Sequence, residues 1–280
     1  MYCPPLNTVH KFDALRLRRD MYSSLYKTYC PTTDQVVVVK MTANRNELDV
    51  LRHLGPHPNI VKLLGEEANV LVLELAIHGS LYTVLTGGSA VSMAQKAAWV
   101  KDIACGLQHI HACGVVHGDI KCENVLIDGG MRARIADFEF STVGIDMEKQ
   151  HCTIAYVPPE AFQTNRLDQA GDVYAFAMCM YFIAMGKKPW NGPLEEIEGR
   201  VCDGQRPDVK GMRSPFRGYV DLMRLAWHQD KTKRPVMHDI VRRLHDIPTP
   251  VPGAFQSMGR RELEAMLSKG VDGEAARLML

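Results

Sequence analysis

The densest concentration of chemistry in the chain is the stretch VVHGDIKCENVLI, residues 115–127. Asp119 and Asn124 stand five positions apart in what reads as a loop between a helix and an apolar strand, so both can aim oxygen atoms at one pocket. Such groups can position a hydroxyl nucleophile and hold a hard cation that takes oxygen ligands. Lys121, in the same loop, can offset charge on a transferring phosphoryl group. Taken one residue at a time, the stretch is also a polar turn in which Asn124 satisfies backbone groups.

Residues 1–75 supply strands: LRLRRDMYSSLYKTYC, the β-branched run VVVVK at 36–40 and NVLVLEL at 69–75. One short helical pattern interrupts them, NELDVLRHL at 46–54, closed by Gly55 and Pro56. From about Ser80 the apolar positions recur at helical steps, as in AQKAAWVKDIACGLQHIHACG. Residues 173–185 are so apolar that they read as a helix buried on all sides, yet fall short of the roughly 20 residues a bilayer span needs. A small β lobe therefore precedes a large helical lobe. PTPVPG, from residue 248, reads as a linker, and 259–280 as two short helices around Gly270.

Composition excludes several classes. The 33 Lys+Arg against 32 Asp+Glu, net +1, write no nucleic-acid field into the chain. The eight cysteines are scattered without zinc-site spacing and suit reduced thiols. The first twenty residues lack the apolar run and small-residue cleavage site of a secretory signal, so the expected location is intracellular: cytoplasmic, with the nucleus as an alternative.

The catalytic-loop stretch resembles that of the eukaryotic-type Ser/Thr protein kinases, and further segments resemble the family in order and spacing over about residues 15–245: RIADFEF (134–140), TIAYVPPE (153–160), GDVYAFAM (171–178) and KTKRP (231–235). The resemblance implies a bilobal α+β fold, a small antiparallel β lobe with a short helix (15–76) and a large helical lobe (80–247), preceded by a segment 1–14 and followed by an extension 248–280. It implies an ATP- and Mg²⁺-dependent enzyme, with Mn²⁺ as the alternative metal. By the same resemblance Asp119 is the catalytic base, and Asn124 and Asp137 are metal ligands. Lys40, paired with Glu47, holds the phosphates. Leu73 is the gatekeeper, Glu74 to Ala76 the hinge, Val38 and Leu126 sandwich the adenine, and an Arg of KTKRP pairs with Glu160. Lys121 and Thr153 resemble the Ser/Thr class, so the implied partners are protein substrates.

Departures from the family pattern define the open questions. The phosphate-covering loop should lie at RRDMYSSLYK, with Arg18, Asp20 and Ser23 in the glycine positions; no glycine precedes Gly55. Only six residues separate Lys40 from Glu47, so the helix has lost its first turns. Gly118 replaces the arginine that reads a phosphate on the activation segment, leaving Arg134 or Lys149 as substitutes. Glu139 replaces a glycine, where strained positive φ is expected. Two other readings compete: a pseudokinase scaffold, favoured by the missing glycines, and a small-molecule kinase of the aminoglycoside and choline type, favoured by His-Gly-Asp and Asp-Phe-Glu. The carboxy-terminal ELEAMLSKGVDGEAARLML resembles two helices of a ubiquitin-associated domain, which makes a ubiquitin-like partner a minor alternative to an amphipathic hairpin docked on the large lobe.

Overall fold

The computed structural model describes residues 15–19, 23–31, 34–42, 45–88, 90–149 and 153–245. Asp20 and the extension 248–280, on which the loop and hairpin expectations rest, lie outside them.

The amino-terminal lobe is a five-stranded antiparallel sheet of β1 (Leu15–Arg19), β2 (Ser23–Cys30), β3 (Gln35–Thr42), β4 (Leu63–Glu67) and β5 (Val70–Glu74). Their spatial order is β1-β2-β3-β5-β4. The run VVVVK is buried on both faces, and the two-residue period of a strand divides it. Val37 and Val39 pack with Val72 and Cys30 on one side, while Val38 joins Leu71, Leu73 and the main core on the other. Lys40 shares the Val38 face, which aims its ammonium at the cleft.

Helix α1 (Asn46–Leu54) follows β3 with only three residues between, and ends at Gly55, whose positive φ of 65 stops it where the sequence places the stop. The chain then stitches the lobes together. The Ile135 amide donates to the Asn59 carbonyl and the Val61 amide to the Ile135 carbonyl, both at 2.9 Å.

The larger lobe is built on α3 (Met93–Ala112), which follows the short α2 (Leu81–Thr86). Serine hydroxyls cap both helices, Ser80 accepting from the Thr83 amide and Ser92 from the Gln95 amide. After α3 come the strands β6 (Val115–Val116), β7 (Val125–Ile127), β8 (Ala133–Ile135), β9 (Thr142–Val143) and β10 (Asp146–Glu148). Then come α4 (Pro159–Thr164), β11 (Arg166–Asp168) and α5 (Gln169–Met185). Three two-stranded ladders, β6–β9, β7–β8 and β10–β11, fix the segments between them.

Helix α5 is the expected wholly buried helix. Every residue from Gly171 to Ala184 is buried, and the helix begins four residues before the apolar run because Asp168 caps it. Helices α6 (Leu194–Cys202), α7 (Tyr219–Ala226) and α8 (Met237–Leu244) complete the lobe. Among the described residues no helix is long and apolar enough to cross a membrane, and the cysteines are free thiols.

Candidate active site

Lys40, Glu47 and Asp137 come together from β3, α1 and the loop after β8. The Lys40 Nζ lies 2.6 Å from Glu47 Oε2 and 2.7 Å from Asp137 Oδ1. The lysine and Glu47 are both buried, whereas the Asp137 side chain is 27% exposed. Burial alone would lower the lysine pKa, but the two carboxylates outweigh it and raise it, so the ammonium stays charged. Glu139 brings a third carboxylate, 3.8 Å from the same nitrogen and equally buried.

The strain expected at Glu139 is absent. The positive φ of the turn falls on Asp137 instead, at 67, and Glu139 lies outside the left-handed region. Because the turn is made two residues earlier, a side chain at 139 meets no backbone penalty.

The catalytic-loop residues form a second cluster. Lys121 Nζ donates to Asp119 Oδ2 at 2.6 Å and to the Thr153 hydroxyl at 2.9 Å. Asn124 Nδ2 donates to the Asp119 carbonyl at 2.9 Å and to its Oδ2 at 3.0 Å. One carboxylate oxygen of Asp119 is thus held from two sides. The Thr153 hydroxyl lies 3.4 Å from the other.

The loop is positioned from beneath. Asp172, in the first turn of α5, accepts from the amides of His117 and Gly118, both at 2.9 Å, and stands 3.0 Å from His111 Nε2. His117 is fully buried; its Nδ1 accepts from the Asp119 amide at 3.2 Å, and its Nε2 faces the Ala136 carbonyl at 3.2 Å. That pattern requires a neutral ring with the proton on Nε2. Burial lowers the His117 pKa to the same effect, against the pull of Asp172 and Asp119.

At the residues expected to sandwich an adenine, Val38 pairs with Leu73 across β3 and β5, and Leu126 of β7 packs against the same core from the other lobe. Ala76 is buried. Glu74 is half-committed elsewhere: its Oε1 accepts from the Lys62 amide at 2.8 Å and lies 3.2 Å from Arg134 Nη1. Arg134 also grips Asp128 at 2.9 Å, and Lys149 lies over the Phe162 ring. Both substitutes for a phosphate-reading arginine are therefore engaged.

Further along, Arg234 of KTKRP makes a bidentate pair with Glu160, at 2.6 and 2.7 Å, with the arginine side chain wholly buried. The partnership expected from the sequence is present.

The donor set suits a hard cation. Asn124 has its amide nitrogen committed to Asp119 and so offers its carbonyl oxygen, and Asp137 is the most open carboxylate around Lys40. Among the described residues no group of three or more His, Cys, Asp or Glu could cage a metal. Two oxygen donors instead of a cage is what Mg²⁺ accepts when substrate phosphates and waters complete its shell.

Sequence reading missed Asp172, His117 and Asn46 as site-builders. The partners of Asp172 and Asn46 lie far along the chain: Asn46, for example, reaches residues 138–141. Only the start of GDVYAFAM carried a hint, for Asp172.

The sequence profile of a family described as protein tyrosine and serine/threonine kinase matches residues 21–244. Human mitogen-activated protein kinase kinase kinase 7 is 30% identical over 216 residues, covering 72% of this chain and 35% of that protein. The L-type lectin-domain containing receptor kinase V.7 of Arabidopsis thaliana is 32% identical over 269 residues, covering 81% of this chain and 40% of that protein. The chain thus spans about two fifths or less of the length of these relatives.

Proposed function

Because the chain belongs to the protein tyrosine and serine/threonine kinase family, we propose that it transfers the γ-phosphoryl group of ATP to Ser or Thr hydroxyls of protein substrates, without needing a phosphate on its own activation segment. The observation that carries this reading is the joint one: Lys40 is locked between Glu47 and Asp137 while Asp119 is held by Lys121 and Asn124.

In this reading Lys40, steadied by Glu47, grips the α- and β-phosphates, and Asp137 and Asn124 hold Mg²⁺, which neutralises the phosphate oxygens when bound. Leu73, Glu74, Ala76, Val38 and Leu126 form the adenine pocket. Asp119 orients the substrate hydroxyl and takes its proton, and Lys121 offsets charge on the transferring group. A scaffold has no chemical use for all six polar groups in register. The contact between Lys121 and Thr153, the two residues that resemble the Ser/Thr class, supports Ser and Thr over Tyr in this reading.

Independence from activation-segment phosphorylation is supported by how that segment is held. β9 pairs with β6, and β10 pairs with β11, reinforced by an ion pair between Arg166 and Asp146. Met147 packs with Val116, Val157, Ala161 and Leu167 in an apolar cluster of its own.

The test is a radiolabelled-ATP assay on a basic protein with Mg²⁺ or Mn²⁺, followed by phosphoamino-acid analysis. Label on Ser or Thr that disappears in Lys40→Met and Asp119→Asn is expected. Metal-ATP binding with no transfer by any form would leave the scaffold reading, and label on Tyr would reject the Ser/Thr assignment.

A further inference from the structure

We propose that Asn46 is a positioning residue, an amide clamp that holds the Asp137–Ser141 turn, and with it the Asp137 carboxylate, in the arrangement used for phosphoryl transfer; its kinetic arm rests on the kinase reading above.

The Asn46 Nδ2 donates to the Ser141 carbonyl at 2.8 Å and the Glu139 carbonyl at 2.9 Å, with the Phe138 carbonyl at 3.4 Å. An amide nitrogen carries two N–H donors, so the two short bonds use both and the third carbonyl shares one. The backbone of 138–141 therefore wraps around a single side chain from α1. The next residue completes the grip: Glu47 Oε1 accepts from the Phe138 amide at 3.4 Å while Oε2 pairs with Lys40. Two consecutive residues at the start of one helix thus fix both the lysine and the turn that carries Asp137.

Two observations say that this turn needs holding. Asp137 has φ 67. Positive φ is uncommon for a non-glycine residue, even for Asp, and persists only where its surroundings over-determine it. Glu139 also places a buried carboxylate 3.8 Å from the nitrogen that Asp137 already contacts at 2.7 Å. Like charges so placed repel, and the turn relaxes if its backbone is released. Because α1 begins at Asn46, no earlier turn of the helix covers this segment, and the first side chain does so instead.

The experiment compares the wild-type chain with Asn46→Ala and Asn46→Asp by hydrogen exchange and steady-state kinetics. The aspartate keeps the shape but turns oxygens toward three carbonyls; the alanine guards against a folding failure in the aspartate. Exchange across residues 138–142 is expected to quicken about tenfold in both, with the His117 and Gly118 amides unchanged. In the same variants kcat should fall about tenfold while the KM for the protein substrate stays constant. Unchanged exchange at 138–142, or acceleration spread evenly over the chain, overturns the clamp, as does an unaffected kcat in an active wild type. If the wild type shows no turnover, the kinase reading fails alone, and the exchange pattern still decides whether Asn46 holds the turn.

Discussion

Met147 fills the space into which residue 118 would extend a side chain: a Cβ on Gly118 would lie 2.6 Å from the Met147 Sδ and 2.9 Å from its Cε. Gly118 also has φ +80, a backbone region that side chains rarely adopt. An arginine here would need to expel Met147 from its cluster and strain the backbone. Gly118→Arg is therefore expected to lower stability and activity together, and Gly118→Ala to cost about 1 kcal/mol from φ alone, since the methionine tip can move. Thermal melts of both variants check this. Phosphatase treatment of the wild type, with mass spectrometry showing a bare segment, should leave turnover unchanged; a large loss restored by rephosphorylation would refute it.

Arg234 gives a second expectation. Its buried guanidinium meets Glu160 with two bonds and also donates to the carbonyls of His228 and Ala170. Removing the arginine strands a carboxylate and two carbonyls, so Arg234→Ala should cost about 3 kcal/mol. In a domain of this size that is roughly 9 °C in Tm by calorimetry, with Arg234→Lys recovering less than half because a lysine lacks the fork.

Acid should weaken the site through His117. Its folded pKa is lowered from 6.5, so as pH falls through 6.5 the unfolded chain takes up a proton that the folded chain refuses. Stability from this group is complete above pH 6.5 and declines below it. A proton forced onto Nδ1 would also cost Asp119 its amide acceptor. Melting temperature and kcat should fall together below pH 6.5, and a His117→Gln variant should show a flatter melting profile there, from a lower starting point.

Nucleotide grip should be weak and metal-dependent, since no glycine precedes Gly55 to bring backbone amides onto the phosphates. Calorimetry with and without Mg²⁺ measures it, and glycines at Asp20 and Ser23 should tighten binding. Tight, metal-free ATP binding would show that another segment cradles the phosphates.

The parts of this molecule legible in its sequence are those whose residues act within one short segment or by local periodicity. NELDVLRHL forms α1 with the bounds read from its pattern, because a glycine stop and an apolar stripe are local signals. Asp119, Lys121 and Asn124 cluster because one loop carries all three. The pairs Lys40–Glu47 and Arg234–Glu160 were legible only through motif order, not through any local rule. Gly118 could be seen to lack an arginine, but not to make room for Met147, which arrives from 29 positions later by way of the β10–β11 ladder. The turn at 137–139 was misplaced for a similar reason, since which residue takes positive φ depends on what grips the backbone.

The stitching of the lobes has a mechanical consequence. Asn59 and Val61 bond to Ile135 of β8, while Glu74 is braced on Arg134, the adjacent residue of the same strand. Two attachments of the small lobe therefore converge on one short strand. One of them is an ion pair whose arginine side chain is about a fifth exposed, so raising the ionic strength should weaken that contact, while the backbone bonds to Ile135 keep the lobes in register.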